Sequence, residues 1–189
     1  DARAAALKLL RQQGLVQDTD NGQPRILPYA CLVPFATGTL KGASKAWPGF
    51  PTLCRQLVPE LPVLLMPGPG PETIQVRTDH PDAQTLAGVP LDVYAALGEP
   101  PVHPIHPASA RLTAHDERTP LPMRTTPRGL GRRVAAAVGA RLVSVLGPTD
   151  ASRYRALGPH VTLIQHHPWP EVDTVLQQAH QAIAAARQG

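Results

Sequence analysis

The stretch from Val134 to Asp150, VAAAVGARLVSVLGPTD, constrains this chain more than any other part of it. An alanine-rich amphipathic run, a small-residue turn at Gly139, an apolar β-branched run and a Gly-Pro turn follow in immediate succession. These are the parts of one helix–strand–loop unit, and a fold built from such units carries its functional groups on the loops. The apolar run stops at Gly147-Pro148-Thr149-Asp150. Two explanations stand side by side: the turn brings the Thr149 hydroxyl and Asp150 carboxylate to a crevice edge, or it caps a helix opening at Ala151-Ser152-Arg153.

The same alternation recurs along the chain. Leu7 and Leu10, followed by Gly14, predict a short opening helix, with the polar stretch DTDNGQP as the loop after it. Tyr29 to Phe35 reads as a buried strand, and Thr37 to Lys45 as a flexible loop of small residues and lysines leading into Trp47-Pro48. Phe50, Leu53, Cys54 and Leu57 fall at spacings of three and four, one face of a helix over 50–58. Pro62 to Met66 is a short strand, Pro67 to Glu72 a surface turn, Thr73 to Arg77 a weaker strand, and Leu91 to Leu97 a helix. After a Pro-rich surface excursion at 99–127, a helix is expected from Leu130 to Val138 and strands at Leu142 to Leu146 and Val161 to Gln165, with a loop between them from Gly147 to Leu157. A final helix from Glu171 to Arg187 places Val172, Val175, Leu176, Ala179 and Ile183 on one stripe behind the Pro168/Pro170 break. Strands alternating with helices imply a mostly parallel sheet with right-handed crossovers, a Rossmann-like α/β domain of three layers.

Length and composition set the outer limits. The 189 residues suffice for one α/β domain, since a chain of this size buries roughly 70 % of its unfolded surface. Aromatic residues make up only 4 % of the chain, too few for a platform that stacks bases, and a net charge of +4 suits an anionic ligand such as a phosphate without arguing for nucleic acid. Cys31 and Cys54 sit in apolar stretches and read as two buried free thiols, which fits a reducing compartment. The longest apolar run, Ile26 to Ala36, is broken by prolines and too short to cross a bilayer. The opening DARAAALKLLRQQG has no initiator methionine and no signal-peptide pattern, as expected of a piece of a longer protein.

Four stretches, in this order, resemble the C-terminal half of the heptosyltransferase family, whose members have the two-domain GT-B architecture. Lys45-Ala46-Trp47-Pro48 is similar to the family's Lys-Arg-Trp-Pro, and Leu64 to Glu72 to its Gly-Gly-Pro-Gly-Glu strand end. Leu86-Ala87-Gly88 followed by Leu91 resembles its Leu-Ala-Gly before a helix. Val134 to Gly139 and Gly147 to Asp150 resemble its Leu-Ala-Ala-Ala-Leu-Gly and Phe-Gly-Pro-Thr-Asp. The resemblance implies that residues 1–189 are a single nucleotide-sugar-binding domain and that 1–14 is the helix connecting it to an acceptor-binding N-terminal domain. It further implies transfer of a sugar, with inversion, from a nucleotide diphosphate sugar to a glycan or lipid-linked acceptor. The general base in this family comes from the N-terminal domain, so the chain by itself is expected to transfer nothing. The high Ala, Pro, Gly and Arg content suggests a GC-rich bacterial coding sequence, the expected location is the cytoplasm, at the inner face of the cell membrane, and no cofactor and no nucleic-acid partner is expected.

A nucleotide leaving group needs its growing negative charge stabilised, which lysine, arginine, backbone amides and a helix dipole can supply without a metal. The nucleotide-sugar site implied by the resemblance comprises Thr37, Lys45, Glu72, Gly129, Leu130, Gly131 and Thr149, with Lys41 as a lesser candidate. Glu72 is placed to accept hydrogen bonds from ribose hydroxyls. One departure bears on activity: where the family carries Asp-Thr-Gly-Pro-x-His, this chain reads Arg128-Gly129-Leu130-Gly131-Arg132-Arg133. The Asp and His are gone, two glycines and a helix start remain, and Arg128 and Arg132 are candidates to replace lost diphosphate contacts. The catalytic residues are not assigned. The alternative is a degenerate glycosyltransferase-fold domain acting as a non-catalytic binding or assembly module. No metal site is expected: His103, His106 and His115 lie among prolines without a helix to align them, and His166-His167 reads as a loop feature.

Overall fold

A computed structural model describes residues 1–20, 22–33, 39–40, 42–44, 47–67, 70–98, 136–148 and 150–188. Along the chain it forms α1 (Ala2–Gln12), β1 (Val16–Asp18), β2 (Pro24–Ile26), β3 (Ala30–Leu32), β4 (Thr39–Leu40), β5 (Ala43–Ser44), α2 (Phe50–Leu57), β6 (Val63–Leu65), α3 (Pro71–Asp79), β7 (Gln84–Thr85) and α4 (Leu91–Gly98). After the Pro-rich stretch follow β8 (Leu142–Leu146), α5 (Ala151–Tyr154), β9 (Val161–Gln165) and α6 (Val172–Gln188).

The layering follows from β6. Its three residues are all buried, Leu64 completely, because the strand is covered on both faces, and a strand so placed reads as a continuous apolar run. Successive side chains of a strand point to opposite faces. Val63 and Leu65 therefore join one core with Trp47 from the loop ahead of α2 and with Leu53, Cys54, Leu57, Val76 and Val175 from α2, α3 and α6. Leu64 joins the other with Ala6 and Leu10 of α1, Val93 and Leu97 of α4, and Leu86 just after β7. The result is an α/β domain of three layers, helix on sheet on helix.

Strand β6 is central in its ladder, paired parallel with β3 on one side and β7 on the other, in the registers Ala30↔Val63 and Leu64↔Gln84. Strands β8 and β9 form a second parallel pair, Leu142↔Val161 through Leu146↔Gln165. Val143, Val145 and Ile164 of this pair pack against the same core as Val63 and Leu65, so the two ladders share one hydrophobic wall. The predicted stripe of α6 is the stripe that packs there: Val175 is buried, and Val172, Leu176, Ala179 and Ile183 line the same core. On α2, Leu53, Cys54 and Leu57 are buried as the spacing predicts.

Several expectations are corrected. Thr73 to Arg77 is not a strand but the middle of α3, which opens with Pro71 at its first position behind Gly70, whose φ of 78° an L side chain rarely adopts. The alternation of apolar Ile74 and Val76 with polar Thr73, Gln75 and Arg77 mimicked a strand over too few residues to discriminate. The Thr37 to Lys45 loop contains a small antiparallel hairpin, β4 with β5, turning at Gly42. The stretch DTDNGQP is the tip of the hairpin β1–β2, closed by the Thr19 amide and hydroxyl both donating to the Gln23 carbonyl. Those two strands are short and mostly exposed, so they left no apolar alternation to read. Of the expected run Tyr29 to Phe35, β3 covers Ala30–Leu32, with Pro34 and Phe35 outside the described residues, and Cys31 on it is exposed, whereas Cys54 is buried; both thiols are free. The opening helix buries Ala6 and Leu10, with Leu7 only half-buried. The loop after β8 contains the short helix α5.

Candidate functional site

The parallel strands set the location. In open α/β sheets ligands bind beyond the carboxyl ends of the strands, here marked by Val33 after β3, Met66-Pro67 after β6, Leu86 after β7 and Gly147-Pro148 after β8.

At the end of β6 the chain passes through Gly70 into α3 and places Glu72 in that helix's first turn, half-buried. Glu72 was expected in a surface turn; the turn and the helix meet at it. Its carboxylate there sits favourably against the positive end of the helix dipole.

At the end of β8 the two readings of the Gly-Pro-Thr-Asp turn separate. Asp150 is the N-cap of α5: its Oδ1 accepts from the Ser152 amide at 2.9 Å and from the Ser152 hydroxyl at 2.7 Å. These bonds, with a weaker contribution from Arg153, hold its carboxyl below the usual aspartate range although it is exposed. The carboxylate serves the backbone. Gly147 is buried, and a Cβ on it would fall on the Pro168 carbonyl oxygen and the Trp169 ring, well inside van der Waals contact. The apolar run of β8 ends in glycine because the chain leaving β9 lies directly against it.

Trp47 is 8 % exposed, and its indole N–H donates to the Pro170 carbonyl at 3.0 Å. The role of Trp169 was missed from the sequence. Its signal there was a large aromatic flanked by two prolines, ahead of a helix it has to lead into.

Of the predicted site residues, Glu72 lies within the described structure. Thr37, Lys41, Lys45, Gly129, Leu130, Gly131, Thr149, Arg128 and Arg132 lie outside the described residues, as do His103, His106 and His115. Of the helix expected over Leu130 to Val138, Ala136 and Ala137 are described and helical, and Gly139 turns the chain with φ 81°. Among the described residues no group of three or more His, Cys, Asp or Glu side chains converges as a metal site would. The two groups most perturbed by burial on α2 and α3 belong to the core: His80, 7 % exposed and edge-on to the Phe50 ring at 6.4 Å, has its pKa lowered by desolvation. Burial likewise pushes the Cys54 thiol up, away from the thiolate a nucleophile needs.

A mostly parallel sheet between two helical layers, with a glycine-led helix start at the end of its central strand, defines a Rossmann-like α/β domain, a fold it shares with solved glycosyltransferases. Two solved structures show the likeness. One is the ADP-heptose lipopolysaccharide heptosyltransferase II of E. coli, with a TM-score of 0.58 and 16 % identity over 98 % of this chain and 52 % of that one. The other is the family 9 glycosyltransferase of Veillonella parvula DSM 2008, with a TM-score of 0.58 and 13 % identity over 97 % of this chain and 52 % of that one. The chain thus spans about half the length of either structure. No protein-family profile and no curated protein sequence matches it.

Proposed function

We propose that this chain is the donor-binding domain of a heptosyltransferase-like glycosyltransferase, which transfers a sugar from a nucleotide diphosphate sugar to a glycan or lipid-linked acceptor with inversion. The observation that carries the reading is the structural match over nearly the whole chain to half of the ADP-heptose lipopolysaccharide heptosyltransferase II of E. coli. The four sequence stretches that resemble the same family support it. In this reading Glu72 accepts the ribose hydroxyls beyond the end of β6. Lys45, Thr37, Thr149 and the amides of Gly129, Leu130 and Gly131 take the diphosphate, with Arg128 and Arg132 adding charge.

The division of labour in this reading is the one the family resemblance implies. Donor binding resides in this half, and the base that deprotonates the acceptor hydroxyl comes from an acceptor-binding domain. The chain alone then binds a nucleotide and transfers nothing. We place the protein in the cytoplasm at the inner face of the cell membrane, held there by its acceptor. No helix among the described residues is long and apolar enough to cross a membrane.

The second reading, a non-catalytic binding or assembly module, has its own observations. Asp150 is committed to capping α5, and Arg128 to Arg133 replaces the family's Asp-Thr-Gly-Pro-x-His. Substitution of Lys45 discriminates. As a donor domain the chain loses about tenfold or more in nucleotide affinity with Lys45→Ala, because one charge-assisted phosphate contact contributes roughly 1.5–3 kcal/mol. A Lys45→Ala protein that binds nucleotide as the parent does favours the module.

A further inference from the structure

The turn between β9 and α6, residues 166–170, touches both loops that carry predicted donor contacts. On one side, His166 donates its amide proton to the Leu146 carbonyl at the end of β8, and the next residue, Gly147, lies bare against the Pro168 carbonyl and the Trp169 ring. On the other, the Pro170 carbonyl accepts the indole proton of Trp47, 123 residues away in sequence. Gly49 seals that contact: a Cβ there would fall on the Trp47 ring and lie 2.8 Å from the Val172 methyl. Within the turn, His166 Nδ1 lies 3.2 Å from the Trp169 carbonyl, and since a carbonyl can only accept, that nitrogen carries the proton when the bond forms.

Lys45 stands two residues before Trp47, and Thr149 two residues after Gly147. We propose that Trp47 and Trp169 are positioning residues for the donor site, coupling the loop ahead of α2 to the loop after β8 through the 166–170 turn. The proposal rests on the donor-domain reading for what is positioned, but not for the coupling itself. Trp47 and Trp169 are the chain's two tryptophans, and both are in this brace.

The coupling can be read without any ligand by amide hydrogen exchange on the whole 189-residue chain. Trp47→Phe keeps a ring and removes the donor to Pro170. It is expected to speed exchange at residues 146–150, which Trp47 does not contact through that bond, by about threefold or more, along with its own neighbours. Leu97→Ala, in the opposite core, serves as a control that lowers Tm without singling out 146–150. Should Trp47→Phe fail to fold, Trp169→Phe, which leaves the Trp47–Pro170 bond in place, is expected to speed exchange at 48–50. Acceleration confined to the neighbours of the substituted residue overturns the coupling.

Titration with ADP, UDP and GDP supplies the second arm. Trp47→Phe is expected to weaken, about three- to tenfold, the same nucleotide that Lys45→Ala weakens. If Lys45→Ala weakens binding and Trp47→Phe does not, the donor reading stands and the positioning role falls. If the parent chain binds none of the three while exchange at the two loops remains coupled, the donor reading falls and takes the positioning role with it, leaving a mechanical link.

Discussion

Asp150 accepts two hydrogen bonds from one residue, Ser152, through its amide and its hydroxyl, and so opens α5 directly behind the β8 turn. Its pKa is depressed, so the folded state holds the carboxylate more firmly than the unfolded chain does. The cap therefore stabilises above the ordinary aspartate value of 3.8 and is lost as pH falls through the lower folded value. Asp150→Ala is expected to lower Tm at pH 7 and to have a smaller effect near pH 3, while Asp150→Asn retains part of the cap. Thermal melts at the two pH values check this; an unchanged Tm at pH 7 would remove the capping role.

His80 gives a pH dependence of the same sign in a higher window. Desolvation between α2 and α3 lowers its pKa, with Asp79 opposing and Arg55 reinforcing the shift, so the unfolded chain takes up the proton first. Stability should accordingly rise with pH up to about the unperturbed value of 6.5 and level off above it. Urea midpoints at pH 5 and pH 7.5 measure the difference. His80→Leu should shrink it, and a variant that keeps the full slope would show that other groups carry the pH dependence.

The Tyr29 hydroxyl donates to the Leu97 carbonyl at 2.6 Å, tying the entrance of β3 to the last turn of α4. Desolvation raises the Tyr29 pKa, with the nearby Cys31 adding to it, so the phenol stays protonated and remains a donor throughout the usual pH range. Tyr29→Phe leaves the carbonyl without this partner and should cost about 1–2 kcal/mol, read from chemical denaturation with the fold unchanged.

Leu64 is fully buried between the helical layers, in a core drawn from α1, α4 and Leu86 just after β7. Leu64→Ala opens a cavity at the centre of the sheet and should cost about 3–5 kcal/mol, whereas Ile74→Ala, at a position 70 % exposed, should cost under about 0.5 kcal/mol. Similar losses at the two positions would contradict the layer assignment.

These elements also mark how far the sequence could be read. Helices α2 and α6 were legible because four or five apolar residues repeat at helical spacing, and that stripe is what the core demands. Strand β6 was legible as a short apolar run because it is covered on both faces. Helix α3 was misread because its one buried residue, Val76, leaves no stripe, and only the Gly70-Pro71 start betrays it. Hairpin β1–β2 is held by backbone bonds rather than burial, so composition concealed it. At the candidate site the place of Glu72 beyond β6 was legible from the glycine- and proline-rich turn. The choice between crevice edge and helix cap at Asp150 was not, since either needs the same residues and only hydrogen-bond geometry separates them. The contact of Gly147 with Trp169 was beyond reach for a different reason: it joins two segments through packing, and no local pattern encodes it.

The most direct test is calorimetric titration of this chain with ADP, UDP, GDP and CMP, each alone, at low and at raised salt. A donor domain binds one of them saturably, more weakly at raised salt because phosphate contacts are screened, and more weakly still after Lys45→Ala. Absence of saturable binding to all four nucleotides would contradict the assignment of a donor site to this chain.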